Sequence, residues 1–238
     1  RWKRSVFMSG FKQVYQGLCQ SNIKNERYCL CCHKPMSKMR NFDIFFYDDL
    51  LVCQDCLKNF KLHKHVYNID GTPLYVLYEY NEFLERLFFQ YKEQKDIVLK
   101  DVFLNQHMYL KKHFKKFCVC GLCSADAKRM ERGFEATIEI YSTLDIFVHS
   151  PFYKKENIKQ SSQSKIQRSH IKDVLALKQL YPLPQQKILL VDDVCTTGNT
   201  LYAAQKLLHA DCMFVLAAHP LWIQANQENV VVKSKWFW

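Results

Sequence analysis

The hydrophobic pattern concentrates in the second half of the chain. Ile188, Leu189, Leu190 and Val191 stand together without polar interruption, which is how a parallel strand buried on both faces reads. Asp192 and Asp193 follow where such a strand would end, and Thr196-Thr197-Gly198-Asn199-Thr200 come next. Leu201, Ala204, Leu207 and Leu208 then share one helical face. Residues 211–218 predict a second buried strand, and Val230-Val231-Val232 one more. Upstream, Leu74–Tyr80 is rich in β-formers, while 83–92 and 96–104 have amphipathic helical spacing. This alternation from residue 74 onward predicts an α/β fold, a parallel sheet with helices on both faces.

The polar stretches divide the rest. Residues 57–73 read as a connector closed by the turn Gly71-Thr72-Pro73, and His63 and His65, an H-x-H pair on it, read as exposed polar residues more readily than as metal ligands. Residues 154–172 carry Lys154, Lys155, Lys159, Lys165, Arg168 and Lys172 among Gln and Ser, with no apolar period. They read as a mobile loop, either a lid over a site or a surface insertion. Residues 1–28 form an N-terminal extension, in which Phe7, Phe11, Val14, Tyr15 and Leu18 have helical spacing and no function is assigned. Aromatic residues over 83–92 alternate with basic ones, yet a stripe at helical spacing is more often core than a base-stacking platform. Lys111-Lys112-His113-Phe114-Lys115-Lys116 suits a solvated helix end or a phosphate contact.

The order strand, acid pair, hydroxyl-rich glycine loop, helix points to a ribose phosphate. Backbone N–H groups at a helix N-terminus lack internal partners, and the helix dipole favours an anion there. Gly198 permits positive φ and close backbone approach. Thr196, Thr197 and Thr200 add hydroxyl donors, and Asp192 and Asp193 could accept from vicinal ribose hydroxyls or hold Mg²⁺. The spacing excludes a P-loop. It resembles the 5-phosphoribosyl 1-pyrophosphate (PRPP) motif of type I phosphoribosyltransferases.

The cysteines change the picture near the N-terminus. The chain has 11 of them, and Cys29-x2-Cys32 with Cys53-x2-Cys56 is the pattern of a four-cysteine structural zinc site. Cys31 and His33 are competing ligands. Phe42–Tyr47, between the knuckles, reads as a strand. Domain boundaries follow at 29–70 for a small zinc finger and 74–238 for the larger domain. Cys118, Cys120 and Cys123 could seed a second metal site, but no fourth ligand stands nearby and they read as small buried residues.

Net charge is +11, which suits an anionic partner such as nucleic acid or a polyanionic small substrate, or a basic solvated surface. No apolar run approaches the ~18 residues of a membrane span, so a cytoplasmic protein without membrane insertion is predicted. Arg129 and Arg132, three apart on a helical turn, could hold a pyrophosphate.

Taken in order, the cysteine knuckles, Y-E-Y-N-E-F-L-E-R-L-F-F-Q-Y-K, K-R-M-E-R-G-F-E and I-L-L-V-D-D-V-C-T-T-G-N-T resemble the ComF/ComFC family over about residues 29–218. The resemblance implies a type I phosphoribosyltransferase-like domain with an N-terminal four-cysteine zinc finger. It also implies a cytoplasmic role in DNA uptake during natural transformation, single-stranded DNA binding and a ComFA-like DNA helicase partner. Carried over by position, Asp192 and Asp193 meet the PRPP ribose, while Thr196, Thr197, Gly198, Asn199 and Thr200 cradle its 5-phosphate. Lys165 and Arg168 fall in the segment that forms the hood over the sugar, and Mg²⁺ accompanies PRPP. Arg132 and Gly133 match the family's R-G-F-N, but Glu135 stands where Asn is usual, and Cys120 where Pro is usual. The hood segment matches weakly. These departures favour a PRPP- or DNA-binding adaptor over the alternative, an active phosphoribosyltransferase with an unidentified acceptor.

Overall fold

The structure, a computed structural model, describes residues 27–36, 51–155, 174–179 and 181–231. The chain divides into two compact units, residues 1–53 and 54–238. The predicted strand Phe42–Tyr47 and the helical pattern of Phe7–Leu18 lie outside the described residues.

In the first unit the Cys29–Cys32 knuckle is closed by backbone bonds. The His33 N–H donates to the Cys29 carbonyl at 2.8 Å, and the Cys29 N–H to the Lys34 carbonyl at 3.0 Å. Tyr28 and Pro35 form an isolated antiparallel bridge across this turn. The second knuckle approaches through Leu51, whose carbonyl accepts from the Leu30 N–H at 2.9 Å.

The second unit opens with a single helical turn, α1 (Gln54–Leu57). Strands β1 (Leu62–Ile69) and β2 (Thr72–Glu79) pair antiparallel around Asp70-Gly71. The stretch that reads as a connector is therefore mostly strand. Its sequence Leu-His-Lys-His-Val-Tyr-Asn-Ile hides this because β1 is an edge strand whose buried residues are only Val66 and Tyr67. Helix α2 (Glu82–Lys92) follows, capped by Asn81, whose Oδ1 accepts from the Leu84 N–H at 2.9 Å. Its apolar stripe, Leu84, Leu87, Phe88 and Tyr91, is buried as core, not presented for stacking. The predicted helix over 96–104 is a 3₁₀ turn, Ile97–Leu99, running into the short α3 (Lys100–Leu104). Helix α4 (Leu110–Phe114) leads to β3 (Cys118–Gly121).

Two helices come next. Helix α5 (Asp126–Arg132) stops because Gly133 adopts φ 85°, where a side chain would be strained, and its N–H caps the Arg129 carbonyl at 2.8 Å. After α6 (Ala136–Ser142) the short strand β4 (Val148–His149) completes the sheet edge. Strands β5 (Phe152–Lys155) and β6 (Val174–Leu177) form a separate antiparallel pair. The stretch 154–172 thus begins inside a strand. Strand β7 (Ile188–Cys195), helix α7 (Asn199–Leu208), strand β8 (Cys212–Ala218) and helix α8 (Pro220–Ala225) end the fold. Of the predicted last strand, Val230 bridges Tyr67 and the Val231 N–H donates to the Val66 carbonyl at 2.8 Å, so both lie against β1, while Val232 lies outside the described residues.

The six-stranded sheet has the order β1-β2-β8-β7-β3-β4. All neighbours except β1–β2 are parallel. This is the mainly parallel α/β sheet that the pattern predicts, with one antiparallel edge. Strand β8 is buried at every position and β2 at most, which explains their lack of polar alternation. From β3 the chain moves outward to β4, then returns to β7 and moves the opposite way to β8. The gap beyond the carboxyl ends of β3 and β7 is therefore a topological switch point, where open α/β sheets place ligands.

Candidate functional site

The acid pair sits at that gap. Strand β7 runs past Asp192 and Asp193 to Cys195, because β8 keeps supplying partners, Asp192 opposite Val215 and Val194 opposite Ala217. On the other side β3 ends at Gly121, opposite Val191. The carboxylates thus lie inside a strand, not at its end, but just where one neighbour stops. The Leu122 N–H still bonds the Val191 carbonyl at 3.0 Å, and the chain then turns away through Ser124.

The notch left by this turn is a cavity of about 400 Å³. Asp192, Asp193 and Thr200 line it together with Lys92, Lys128, Arg132 and Lys154. With Glu93 the lining holds four cationic and three acidic side chains, so an anion is welcome even when both aspartates are ionised. Asp193 is buried, and its Oδ2 accepts from Lys92 Nζ at 2.6 Å and from Thr137 Oγ1 at 3.3 Å. Asp192 Oδ1 accepts from the Asp193 N–H at 2.9 Å, and the Asp192 carbonyl from Tyr141 Oη at 2.8 Å. Burial, then the neighbouring Asp193 charge, pushes the Asp192 carboxyl up to about 7.

The sign of the resulting pH dependence is fixed. A carboxyl raised above its unfolded value favours the fold fully below that unfolded value, and this contribution is lost as pH rises through the folded value. Stability should therefore decline between about pH 4 and pH 7, and Asp192→Asn should flatten that decline. Carbon-13 NMR of the aspartate carboxyls reads the titration directly. An Asp192 signal that titrates in the ordinary carboxylate range would contradict the assignment.

Arg132 is a wall residue with its side chain 5% exposed. Its Nε donates to the Lys92 carbonyl at 2.9 Å and its Nη1 to Ser124 Oγ at 3.3 Å. Glu135 completes the turn, its carboxylate accepting from the Ser124 N–H at 3.0 Å and from Ser124 Oγ at 2.7 Å. The residue that departs from the family pattern therefore fixes the loop after β3. Arg129 does not line the cavity and pairs with Asp126 at 2.9 Å. Lys165 and Arg168 lie outside the described residues. Lys92, Thr137 and Lys154 carry no site motif of their own in the sequence, since they come from α2, α6 and β5 and meet only in three dimensions.

Helix α7 begins at Asn199, two residues before its apolar pattern does, with Gly198 as cap at φ 79°. A Cβ on Gly198 would stand 2.4 Å from the ring of Tyr202, and that ring is held by Trp222 Nε1 donating to Tyr202 Oη at 2.8 Å. Thr196, Thr197 and Asn199 are exposed around this cap, and Thr200 reaches the cavity. Gly198→Ala combines a left-handed backbone, roughly 1–2 kcal/mol, with a clash against the Tyr202 ring, whose shift would strain its bond to Trp222. The expected loss is about 2–4 kcal/mol by urea denaturation. A loss under about 0.5 kcal/mol would show the cap is not so constrained.

The cysteine centre is separate. The thiol sulfurs of Cys29, Cys32, Cys53 and Cys56 all lie within 4.8 Å of one another. Cys32 and Cys53 sulfurs are 3.8 Å apart, and the Cys53 N–H donates to Cys29 Sγ at 3.3 Å. Burial acts to raise the Cys29 thiol, but N–H donors from Cys53, Cys32 and Cys31 outweigh it and bring it down to about 7. Burial instead pushes the Cys31 thiol far up. Neither Cys31 nor His33 joins the group, which is the one cluster among the described residues that could hold a metal. Four converging sulfurs with backbone N–H support suit a tetrahedral thiolate site. Cys118, Cys120 and Cys123 are buried thiols of the core.

No protein-family profile matches the chain. A curated relative does, Competence protein ComFC of Streptococcus pneumoniae (strain ATCC BAA-255 / R6), 24% identical over 204 residues that span 76% of this chain and 92% of that protein. The chain is thus similar to a competence protein over most of its length. Among solved structures, a hypoxanthine phosphoribosyltransferase from Staphylococcus aureus matches at 14% identity with a TM-score of 0.29, covering 60% of this chain and 71% of that one. No helix among the described residues is long and apolar enough to cross a membrane.

Proposed function

We propose that the chain binds PRPP with Mg²⁺ in the cavity beyond β3 and β7 and serves DNA uptake in natural transformation. The observation that carries this reading is the acid pair of β7 facing a cationic wall beside a glycine-capped helix N-terminus. Asp192 and Asp193 accept from the ribose hydroxyls, the 196–200 loop takes the 5-phosphate, and Lys92, Lys128, Arg132 and Lys154 face the pyrophosphate. Mg²⁺ would supply charge neutralisation at the pyrophosphate. A zinc ion on Cys29, Cys32, Cys53 and Cys56 plays a structural part. Single-stranded DNA and a ComFA-like helicase are the proposed partners, in the cytoplasm, supported by the competence-protein relative and the +11 charge.

Calorimetric titration of PRPP with Mg²⁺ into the full chain tests the pocket. Micromolar, one-to-one binding is expected, and heat no larger than dilution would sink it. The DNA arm has its own readout, a steep fall of single-strand affinity with salt. A flat salt response removes DNA from the proposal and leaves PRPP standing.

One observation favours a second reading, an active phosphoribosyltransferase. The four cations share one cavity with the acid pair, placing positive charge where pyrophosphate would depart from C1 of the sugar with the bonding electron pair. Release of pyrophosphate, followed by phosphorus NMR across candidate acceptors, separates transfer from simple binding.

A further inference from the structure

The Asp193 carboxylate already carries a cation of the chain itself. Lys92 Nζ stands 2.6 Å from Asp193 Oδ2, the oxygen to which Thr137 Oγ1 also donates at 3.3 Å. Both side chains are largely buried, so solvent and salt screen this pair less than a surface one. Lys92 is placed by three features. It is the last residue of α2, where the helix dipole favours a positive charge. Its carbonyl accepts from Arg132 Nε at 2.9 Å, and its Nζ lies 5.0 Å from the Phe88 ring centroid. An ammonium has three N–H donors. Asp193 takes one, and Lys92 lines the cavity, where a ligand can take the others.

Two adjacent carboxylates repel a polyanion. A site of that kind is commonly completed by a divalent cation, shared between the carboxylates and the phosphates of the ligand. Here an ammonium stands on the Asp193 oxygen that such a cation would use. Lys128 and Lys154 line the same cavity, and neither forms an ion pair among the described residues, so positive charge remains beyond what Asp193 takes up. We propose that Lys92 is a built-in counter-cation, which lets the acid pair receive a ribose and its phosphates without a divalent metal and keeps free divalent ions off Asp193. The inference rests on the reading of this cavity as a PRPP site. Mg²⁺ that arrives on the pyrophosphate then adds affinity and is not the condition for binding. An ion pair that served the fold alone would leave the metal dependence of binding the same with and without Lys92.

Two measurements on the full chain test this, in buffer freed of divalent ions over a chelating resin before the protein is added. The first is calorimetric titration of PRPP with and without Mg²⁺. Wild-type affinity should fall less than about tenfold when Mg²⁺ is left out. Lys92→Met should lose at least 100-fold without Mg²⁺ and less than about tenfold with it, and Lys92→Arg should behave as wild type. The second needs no PRPP: Mn²⁺, a paramagnetic stand-in for Mg²⁺, is titrated in and the free ion read by electron paramagnetic resonance. Lys92→Met should bind Mn²⁺ at least tenfold more tightly than wild type, and Lys92→Met/Asp193→Asn should lose that gain. A wild-type PRPP affinity that falls tenfold or more without Mg²⁺ would overturn the proposal and leave the PRPP site standing. Equal Mn²⁺ affinity in wild type and Lys92→Met would also overturn it. If PRPP binds under neither condition, the PRPP reading fails, and with it the proposal. If Lys92→Met fails to fold, the wild-type comparison with and without Mg²⁺ decides the matter alone.

Discussion

Asp192→Asn/Asp193→Asn should weaken PRPP binding by 100-fold or more while leaving the fold intact. Each carboxylate would contribute charge-assisted hydrogen bonds of ~1.5–3 kcal/mol, and two such losses exceed a factor of 100. Asparagine keeps the shape, and its Oδ1 can still accept from Thr137. Lys92 loses its ionic partner, yet its side chain is 23% exposed, so water can solvate it. Removing the Asp192 carboxyl also relieves a group whose burial disfavours its charge. The two stability effects oppose each other, and a midpoint change within about 5 °C is expected. Calorimetry alongside thermal denaturation separates lost binding from lost fold. A folded double variant with wild-type affinity would move the ligand away from β7 altogether.

The sequence reveals the pieces whose chemistry is local, and conceals those whose role is made by assembly. The run Ile188–Val191 predicts its strand because both faces are buried and no polar residue intervenes. Its extension through Asp192 to Cys195 is hidden, because the reason for it lies in β8. Strand β1 is hidden for the opposite reason, an edge position that tolerates His63, Lys64 and His65. His63 there is half-buried, its Nε2 2.7 Å from Tyr67 Oη, and burial lowers it to about 4. The acid pair and Thr200 reach the cavity as the motif implies, whereas Arg129 does not. Lys92 looks like the polar end of an amphipathic helix, which it is. Only the fold, which brings the end of α2 within reach of Asp193, turns it into that residue's partner. Glu135 shows the converse. It is a departure by motif, but three hydrogen bonds to Ser124 make it the anchor of the loop that bounds the site.

Cys29→Ser and Cys53→Ser should each abolish stoichiometric metal, while Cys31→Ser should retain it. Tight structural zinc sites carry apparent binding free energies of roughly 10–16 kcal/mol, more than a short segment can replace by packing. Cys29 is the most sensitive position, since it is fully buried and its sulfur accepts from the Cys53 N–H across the two knuckles. A serine oxygen there is a poor ligand for a site of this kind and leaves three thiols to share the ion. Cys31 stands outside the group, and burial keeps its thiol protonated. Elemental analysis should give one zinc per wild-type and Cys31→Ser chain and less than about a tenth for the other two. Hydrogen exchange supplies the structural half of the test. The Cys29 and His33 amides, bonded within the knuckle, should lose protection in the metal-free protein, while β8 amides keep theirs, because β8 is held by β2 and β7. Metal retained in Cys29→Ser, or lost in Cys31→Ser, would reassign the ligands. Protection lost in β8 as well would mean that the ion supports the sheet, and not only the knuckles that bind it.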